Sequence, residues 1–150
     1  MAMTSVPVLF HNSQRAAIDY LIRNESKLPF EVNQIKMWEP NTFPIDANRN
    51  ECVAHLLDNN IDFSVWIDGD EQLHEDTIFK LFAKGYNYPI YAGIYYLKKE
   101  PYYPIVFKAN ETFEEFMPIF KYPNEPFYAD MIGMGCVKIN KEVFEKLERP

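Results

Sequence analysis

Apolar and polar residues alternate along the chain in blocks whose lengths predict an α/β domain. A short apolar run at residues 6–10 predicts a first strand, and the spacing of apolar residues over 14–23 predicts the helix after it. Residues 31–38 and 49–59 predict a second strand and a second helix. Phe63–Ile67 is apolar at four of its five positions, which predicts a third strand buried on both faces.

The next segments predict a helix and a hairpin. Residues 75–84 have the apolar spacing of a third helix. The aromatic-rich residues 88–96 and the residues 103–108 predict two strands that pair around the turn Lys98-Lys99-Glu100-Pro101. Residues 109–126 are polar and interrupted by proline but contain several aromatic side chains, which predicts a packed loop or a short helix.

The last segments complete the predicted fold. Strands are predicted at residues 127–131 and 137–139, on either side of a tight backbone passage at Gly133-Met134-Gly135, and a helix at 141–147. The order of elements predicts one three-layer α/β domain over residues 1–150, with a mixed sheet that is parallel in its N-terminal half. Such a sheet is covered on both faces, so we expect the domain to be truncated at Pro150, where no element follows the last helix.

Two carboxylates flanking a glycine, Asp68-Gly69-Asp70, follow the third predicted strand. In open α/β sheets, ligands bind beyond the carboxyl ends of the strands. In an extended chain, residues two apart lie roughly 6.6–7 Å apart with both side chains on one face. Glu71 would then point to the opposite face. Two neighbouring carboxylates repel each other, and a divalent ion with oxygen ligands removes that repulsion, so Asp68 and Asp70 predict a site for Mn²⁺ or Mg²⁺.

Charge and composition narrow the classes of partner. The net charge of −7 argues against nucleic acid and against an anionic membrane surface, both of which require a basic face. Arg49 begins a predicted helix, where the helix dipole disfavours a cation, so a bound anion would explain its position. Cys52 and Cys136 lack the spacing of metal ligands and predict reduced thiols. Since no apolar run approaches about 18 residues, we expect no membrane span and a cytoplasmic protein.

Several motifs in combination resemble a glycosyltransferase of the GT-A fold, of the sort related to family 2. The resemblance extends from about Val6 to the end of the chain and implies a GT-A-like, Rossmann-like domain. The motifs are Ala47-Asn48-Arg49-Asn50, Phe63-Ser64-Val65-Trp66-Ile67-Asp68-Gly69-Asp70, Ile90-Tyr91-Ala92-Gly93-Ile94-Tyr95-Tyr96, Asp130, Gly133-Met134-Gly135 and Asn140-Lys141-Glu142-Val143-Phe144.

The resemblance implies a UDP- or GDP-linked sugar donor and a carbohydrate or other hydroxyl acceptor. The donor diphosphate would be held through Mn²⁺ or Mg²⁺ by Asp68 and Asp70. The other implied donor- and acceptor-side residues are His11, Asn12, Arg49, Gly93, Gly133 and Gly135.

The resemblance also bears on the catalytic base. In the family the base usually lies shortly after a helix such as 141–147, and this chain ends at Pro150. We therefore expect the base either beyond Pro150 or, within the chain, at Asp130. The activity of the 150-residue chain alone depends on which of the two holds.

Two alternatives stay open at this stage. A strand ending in Asp-x-Asp also resembles the haloacid-dehalogenase-like phosphatases, in which Asp68 would be the nucleophile and Asp70 the acid. That family has Thr or Val where this chain has Gln72, and it carries the motif near the N-terminus. The second alternative is a non-catalytic nucleotide-sugar-binding fragment, whose many tyrosines would serve packing or carbohydrate stacking.

Overall fold

The structure is a computed structural model that describes residues 8–37 and 44–147. Within these ranges it contains four α-helices, one short 3₁₀ helix at Glu25–Lys27 and six short strands. The helices are α1 (Val8–Arg23), α2 (Ile45–Asp58), α3 (Thr77–Gly85) and α4 (Lys141–Glu145). The strands are β1 (Phe63–Ile67), β2 (Ile90–Ala92), β3 (Val106–Ala109), β4 (Phe116–Pro118), β5 (Met131–Ile132) and β6 (Cys136–Asn140).

The strands form two small antiparallel sheets. In the first sheet β6 lies between β1 and β2, in the order β1-β6-β2, with Phe63 opposite Asn140 and Ile67 opposite Cys136. The second sheet has the order β4-β3-β5. The prediction of a three-layer GT-A-like (Rossmann-like) domain with a parallel N-terminal half is therefore wrong, because every strand pair in the described part of the chain is antiparallel.

The error begins with the two N-terminal strands. Residues 8–10, predicted as part of a strand, belong to the first turn of α1, and residues 31–37 have no regular structure. A run of five apolar residues is compatible with either a strand or a helix. Phe10, Ala17 and Leu21 follow one another at helical spacing, so the run continues the pattern of the helix behind it. Residues 6–7 and 38 of the predicted strands lie outside the described ranges.

The prediction that the domain is truncated at Pro150 concerns residues that the structure does not describe. Residues 148–150, which include Pro150, follow the last described residue, Leu147. The expectation that the domain is truncated at Pro150 therefore stays a prediction. Its original reason no longer applies, because it assumed a parallel sheet, and the described strands pair in antiparallel fashion.

The helices cover both faces of the first sheet. On one face the side chains of β1 pack against α1 and α3, around the buried residues Ala17, Leu21, Ile78 and Phe82. On the other face α2 and α4 pack against β6, around Leu56, Val137, Ile139 and Phe144. All five residues of β1 are only half-buried, whereas four of the five residues of β6 are buried. The strand buried on both faces is thus β6, and β1 is an edge strand of the described sheet.

Several predicted elements are confirmed. The structure has a strand at Phe63–Ile67, a helix close to residues 75–84, a strand spanning 137–139 and a helix that begins at Lys141. The second helix begins at Ile45, four residues before its predicted start. The predicted hairpin exists only near its turn, where the N–H of Leu97 donates to the carbonyl of Tyr103 (2.9 Å), because β2 and β3 belong to different sheets. None of the helices in the described ranges has the length and apolarity needed to cross a membrane.

A lysine lies in the middle of the buried strand. The side chain of Lys138 is 0% exposed, and its ammonium donates to the carbonyl of Tyr88 and to Oδ1 of Asn140, both at 2.6 Å. Burial lowers the pKa of Lys138, because the charged form loses hydration. These two hydrogen bonds supply the partners that a buried polar group requires. They also tie the loop before β2 to the strand beside it.

Truncation of Val137 tests the placement of β6 at the centre of the core. Val137 is 0% exposed, so Val137→Ala should lower the free energy of unfolding by about 2–3 kcal/mol, from lost burial and a residual cavity. Val143→Ala is the matched control, because Val143 is half-buried on α4 and contacts the same cluster. We expect its cost to be below about 1 kcal/mol, since alanine also favours the helix. Urea unfolding measures the loss of unfolding free energy in each variant. Equal losses in the two variants would contradict this placement of β6.

Candidate functional site

The candidate site lies where the ladder between β1 and β6 ends. The N–H of Asp68 donates to the carbonyl of Gly135 (3.1 Å), which extends the ladder one step beyond Ile67. On the other side of β6, the N–H of Gly93 donates to the carbonyl of Cys136 (2.9 Å). The ends of three segments, after β1, after β2 and before β6, therefore meet at one edge of the sheet.

The ring of Tyr95 fills the space beside two glycines at this edge. Its hydroxyl accepts a hydrogen bond from the N–H of Gly135 (2.9 Å). A Cβ at Gly135 would lie 2.7 Å from Cζ of Tyr95, and a Cβ at Gly133 would overlap the hydroxyl of the same ring. Burial raises the pKa of Tyr95, and the neighbouring carboxylates of Asp68 and Glu71 raise it further. The predicted tight backbone passage is confirmed, and its physical cause is this ring.

The first carboxylate of the motif faces an arginine from α2. Nη2 of Arg49 lies 3.7 Å from Oδ1 of Asp68. Both side chains are partly exposed, so the pair contributes little to stability, on the order of 0–1 kcal/mol. Because α2 begins at Ile45, Arg49 lies in the second turn of the helix rather than at its N-terminus. Its proximity to Asp68 is therefore a tertiary contact between two segments that were both predicted to contact the donor.

The second carboxylate of the motif faces a lysine from the turn after Tyr96. Nζ of Lys98 lies 2.6 Å from Oδ2 of Asp70, 2.7 Å from its carbonyl oxygen and 3.4 Å from Oε1 of Glu71. The hydrogen bond from Lys98 lowers the pKa of Asp70. Desolvation disfavours the charged form of Lys98, but its contacts with Asp70 and Glu71 outweigh this effect and raise its pKa. The lowered pKa of Asp70 and the raised pKa of Lys98 both favour the charged forms of this pair at neutral pH.

These groups line an open cleft of about 480 Å³. The lining residues combine four acids, two lysines and an apolar and aromatic wall: Asp68, Asp70, Glu71, Tyr95, Tyr96, Leu97, Lys98, Lys99, Glu100 and Ile105. A cleft of this size lies within the range of small-molecule sites, roughly 300–1,000 Å³. Its walls come from the segment after β1 and from the segment that joins β2 to β3.

The geometry of the motif differs from the extended chain that its spacing suggests. The carbonyl of Asp68 accepts a hydrogen bond from the N–H of Glu71 (3.0 Å), which closes a four-residue turn. Glu71 therefore lies in the cleft and contacts Lys98, whereas an extended chain would place it on the opposite face. Sequence reasoning missed Glu71, Lys98 and Tyr95. For Glu71 a signal was available: Gly69 indicates a turn after Asp68, because glycine after an acidic residue is typical of turns.

The remaining predicted residues lie at the periphery or elsewhere. Asn12 is exposed in α1, next to Ser13, whose hydroxyl accepts the N–H of Leu73 (3.2 Å) just after the motif. His11 belongs to α1, and its side chain lies outside the described part of the structure. Asp130 precedes β5 in the second sheet and is not among the residues that line the cleft.

The carboxylate of Asp130 is held by its own neighbours. Its Oδ2 accepts the N–H of Ala109 and pairs with Nζ of Lys108, both at 2.9 Å. The backbone hydrogen bond from Ala109 lowers the pKa of Asp130, and Lys108 lowers it further. A carboxylate stabilised in this way is a weaker base than a free one. Its role as the catalytic base stays a prediction, and so does the other expectation, a base beyond Pro150, because the described residues end at Leu147.

The donor set of the motif fits a hard divalent cation that is shared with a substrate. Magnesium prefers oxygen ligands and is usually held by one or two carboxylates together with waters and phosphate oxygens. Asp68 and Asp70 both line the cleft and offer two such carboxylates, but the turn overturns the extended chain from which they were predicted to share one face. Over residues 8–37 and 44–147, no group of three or more His, Cys, Asp or Glu side chains is arranged to hold an ion. Further ligands would therefore have to come from water or from a bound phosphate.

An added methyl group at Gly135 tests the packing of this edge. We expect Gly135→Ala to lower the free energy of unfolding by about 1–3 kcal/mol, because the new Cβ would collide with Tyr95 and approach Oδ2 of Asp68. Gly93→Ala is the matched control, since its Cβ would lie 3.2 Å from Sγ of Cys136 and should cost less than about 1 kcal/mol. Denaturant unfolding of the two variants compares them. A Gly135→Ala variant as stable as the parent would contradict the observed position of Tyr95.

Comparison of the chain with protein-family models, with curated proteins and with solved structures gives no match. The likeness to glycosyltransferases therefore depends on the motifs of the sequence alone. The structure adds contacts between segments: Arg49 with Asp68, and Lys98 with Asp70 and Glu71.

Proposed function

We propose that the protein binds a nucleotide-diphosphate sugar in the cleft at Asp68-Gly69-Asp70 and transfers the sugar to a hydroxyl acceptor as a metal-dependent glycosyltransferase. One observation carries the proposal. Arg49 of α2, Asp68 after β1, Gly93 after β2 and Gly135 before β6 come together at one edge of the first sheet. The resemblance assigns Arg49 and Asp68 to the donor nucleotide and the two glycines to the donor-sugar and acceptor side. Their proximity supports a common site.

The charges of the cleft support a ligand that carries both phosphate and a metal. The carboxylates of Asp68, Asp70 and Glu71 would repel a diphosphate that arrived alone. When bound to Asp68 and Asp70, Mn²⁺ or Mg²⁺ would stabilise the negative charge of the departing diphosphate. Arg49 would donate to phosphate oxygens, because its guanidinium offers several N–H groups at a fixed geometry.

The protein's own residues would give the sugar a rigid surface at the edge of the sheet. Gly93 and Gly135 let Cys136 and Tyr95 pack closely against the backbone, and Tyr95 supports that backbone through its hydrogen bond with Gly135. In the reaction, the acceptor oxygen forms a bond to C1 of the sugar while the bond from C1 to the diphosphate breaks. The hydroxyl proton passes to a general base. We do not assign that base to Asp130, because Ala109 and Lys108 already hold its carboxylate.

Calorimetric titration of UDP and GDP with and without Mn²⁺ tests the site. We expect binding to require nucleotide and metal together, and Asp70→Ala should weaken the metal-dependent binding by about tenfold or more, because a direct ligand contributes at least as much as an outer-shell partner. Glu75→Ala is the control: it removes one exposed acid just beyond the motif, outside the cleft, and should bind like the parent. Since Asp70 is exposed, its loss should leave the unfolding free energy nearly unchanged.

Two results would contradict the site. The first is nucleotide binding of the same affinity with and without Mn²⁺, and the second is an Asp70→Ala variant that binds like the parent. Release of UDP or GDP from a bound sugar donor when hydroxyl acceptors are added distinguishes a transferase from a non-catalytic nucleotide-sugar-binding protein. Binding without release would leave the site intact and remove the enzymatic part of the proposal.

In the phosphatase alternative, Asp68 would act as a nucleophile rather than only as a metal ligand. A haloacid-dehalogenase-like enzyme forms an aspartyl-phosphate at that residue, which beryllofluoride imitates. We expect no such adduct, because Asp68 acts as a metal ligand in the proposed reaction and not as a nucleophile. Fluorine NMR of the protein with beryllofluoride and Mg²⁺ measures this directly, with Asp68→Asn as the control. A bound-fluoride signal that disappears in Asp68→Asn would favour the phosphatase.

A further inference from the structure

One side chain already pairs with Asp70, the second carboxylate of the proposed metal site. The ammonium of Lys98 lies within hydrogen-bond distance of Oδ2 and of the carbonyl oxygen of Asp70, and 3.4 Å from Oε1 of Glu71. These are oxygen atoms of the kind that a hard divalent cation binds. A lysine ammonium is a compact charge on a flexible stem, so it can occupy such a position and also leave it.

The ammonium and a divalent ion cannot occupy this position together at low cost. Both would lie against the carboxylate of Asp70, and two cations a few ångströms apart repel strongly even at an effective dielectric constant of about 20. Binding of the metal therefore requires Lys98 to move. Without the metal, Lys98 offsets the repulsion between Asp70 and Glu71.

The segment that carries Lys98 lets the side chain move while the backbone stays in place. Next to it, Leu97 donates its N–H to the carbonyl of Tyr103, and Ile105 donates to the carbonyl of Tyr95 (2.8 Å), which holds the base of the hairpin. The side chain of Lys98 is half-exposed. Its described contacts are those with Asp70 and Glu71, and all of them are polar. Loss of these contacts would leave a solvated lysine that is still at the rim of the cleft.

We propose that Lys98 is a tethered cation that competes with the divalent metal for Asp70, and that it moves to the diphosphate when metal and nucleotide bind together. This inference rests on the proposed function. It explains why the metal alone should bind weakly: the metal has to displace the ammonium of Lys98 from Asp70. A diphosphate supplies a new anion for that ammonium, so nucleotide and metal should each strengthen the binding of the other.

Lys98→Met tests the inference, because methionine keeps much of the side-chain length and removes the charge. Binding of Mn²⁺ alone, measured by electron paramagnetic resonance of the free ion, should become about threefold tighter or more, in line with the loss of a partly exposed ion pair. In the same variant, binding of UDP at saturating Mn²⁺ should become weaker by a similar factor. The two changes have opposite signs, which a merely structural role of Lys98 would not produce.

Lys99→Met is the matched control. Lys99 is the next residue in the same turn and also lines the cleft, and its replacement changes the net charge by the same amount. We expect both affinities to change by less than half as much as in Lys98→Met. Thermal unfolding of each variant checks that the fold is retained.

The possible outcomes separate this inference from the proposed function. Equal Mn²⁺ affinity in the parent and in Lys98→Met, or equal shifts in the two lysine variants, would overturn the role of Lys98. So would the absence of Mn²⁺ binding in both the parent and Lys98→Met, since removal of the ammonium should uncover the carboxylates. Failure of UDP and GDP to bind the parent with Mn²⁺ would instead overturn the proposed function, and the comparison with Mn²⁺ alone would still decide the role of Lys98.

Discussion

The antiparallel ladder between Phe63–Ile67 and Cys136–Asn140 joins two segments that are far apart in the sequence, and the candidate site depends on its register. Ile67 lies opposite Cys136, and one step further along the ladder Asp68 lies opposite Gly135. These two residues are joined by a hydrogen bond. A slip of one residue would exchange the two faces of the strand. It would bring Lys138 to the face that Val137 and Ile139 now fill, so the core opposes a one-residue slip.

The site combines a rigid backbone with adjustable charges. Gly135 and Tyr95 are tied by a hydrogen bond and by close packing, so the edge of the sheet has little freedom. The charged groups are different: the side chains of Arg49, Asp70 and Lys98 are all at least two-fifths exposed. Exposed ion pairs contribute little to stability and can exchange partners at low cost. The fold is thus maintained by the core, and the charges are free to respond to a ligand.

Individual helices and strands of this chain were easier to predict than the elements they pair with. In the candidate site, likewise, the motif residues were easier to predict than the side chains that contact them. Phe63–Ile67 is apolar and is followed by two acids, so the strand is recognisable locally, whereas nothing within β1 indicates that its partner is β6. Asp68 and Asp70 were accessible because two acids directly after a strand have an identifiable chemistry. Arg49 was chosen as the start of a helix, but it lies in the second turn and reaches Asp68 through a tertiary contact. Lys98 could not be predicted in this way, because a lysine in a turn is ordinary until the chain brings it to a carboxylate. Side chains that act through a contact between distant segments leave no local signal.

The charge of the cleft gives a physical reason for a metal whatever the nucleotide. Its four carboxylates exceed its two lysines and the nearby Arg49 by one formal charge, in a protein whose net charge is −7. A diphosphate would add further negative charge to a site that is already negative. In the proposed site, one divalent ion would reverse this net charge and would also free Lys98 to face the phosphates.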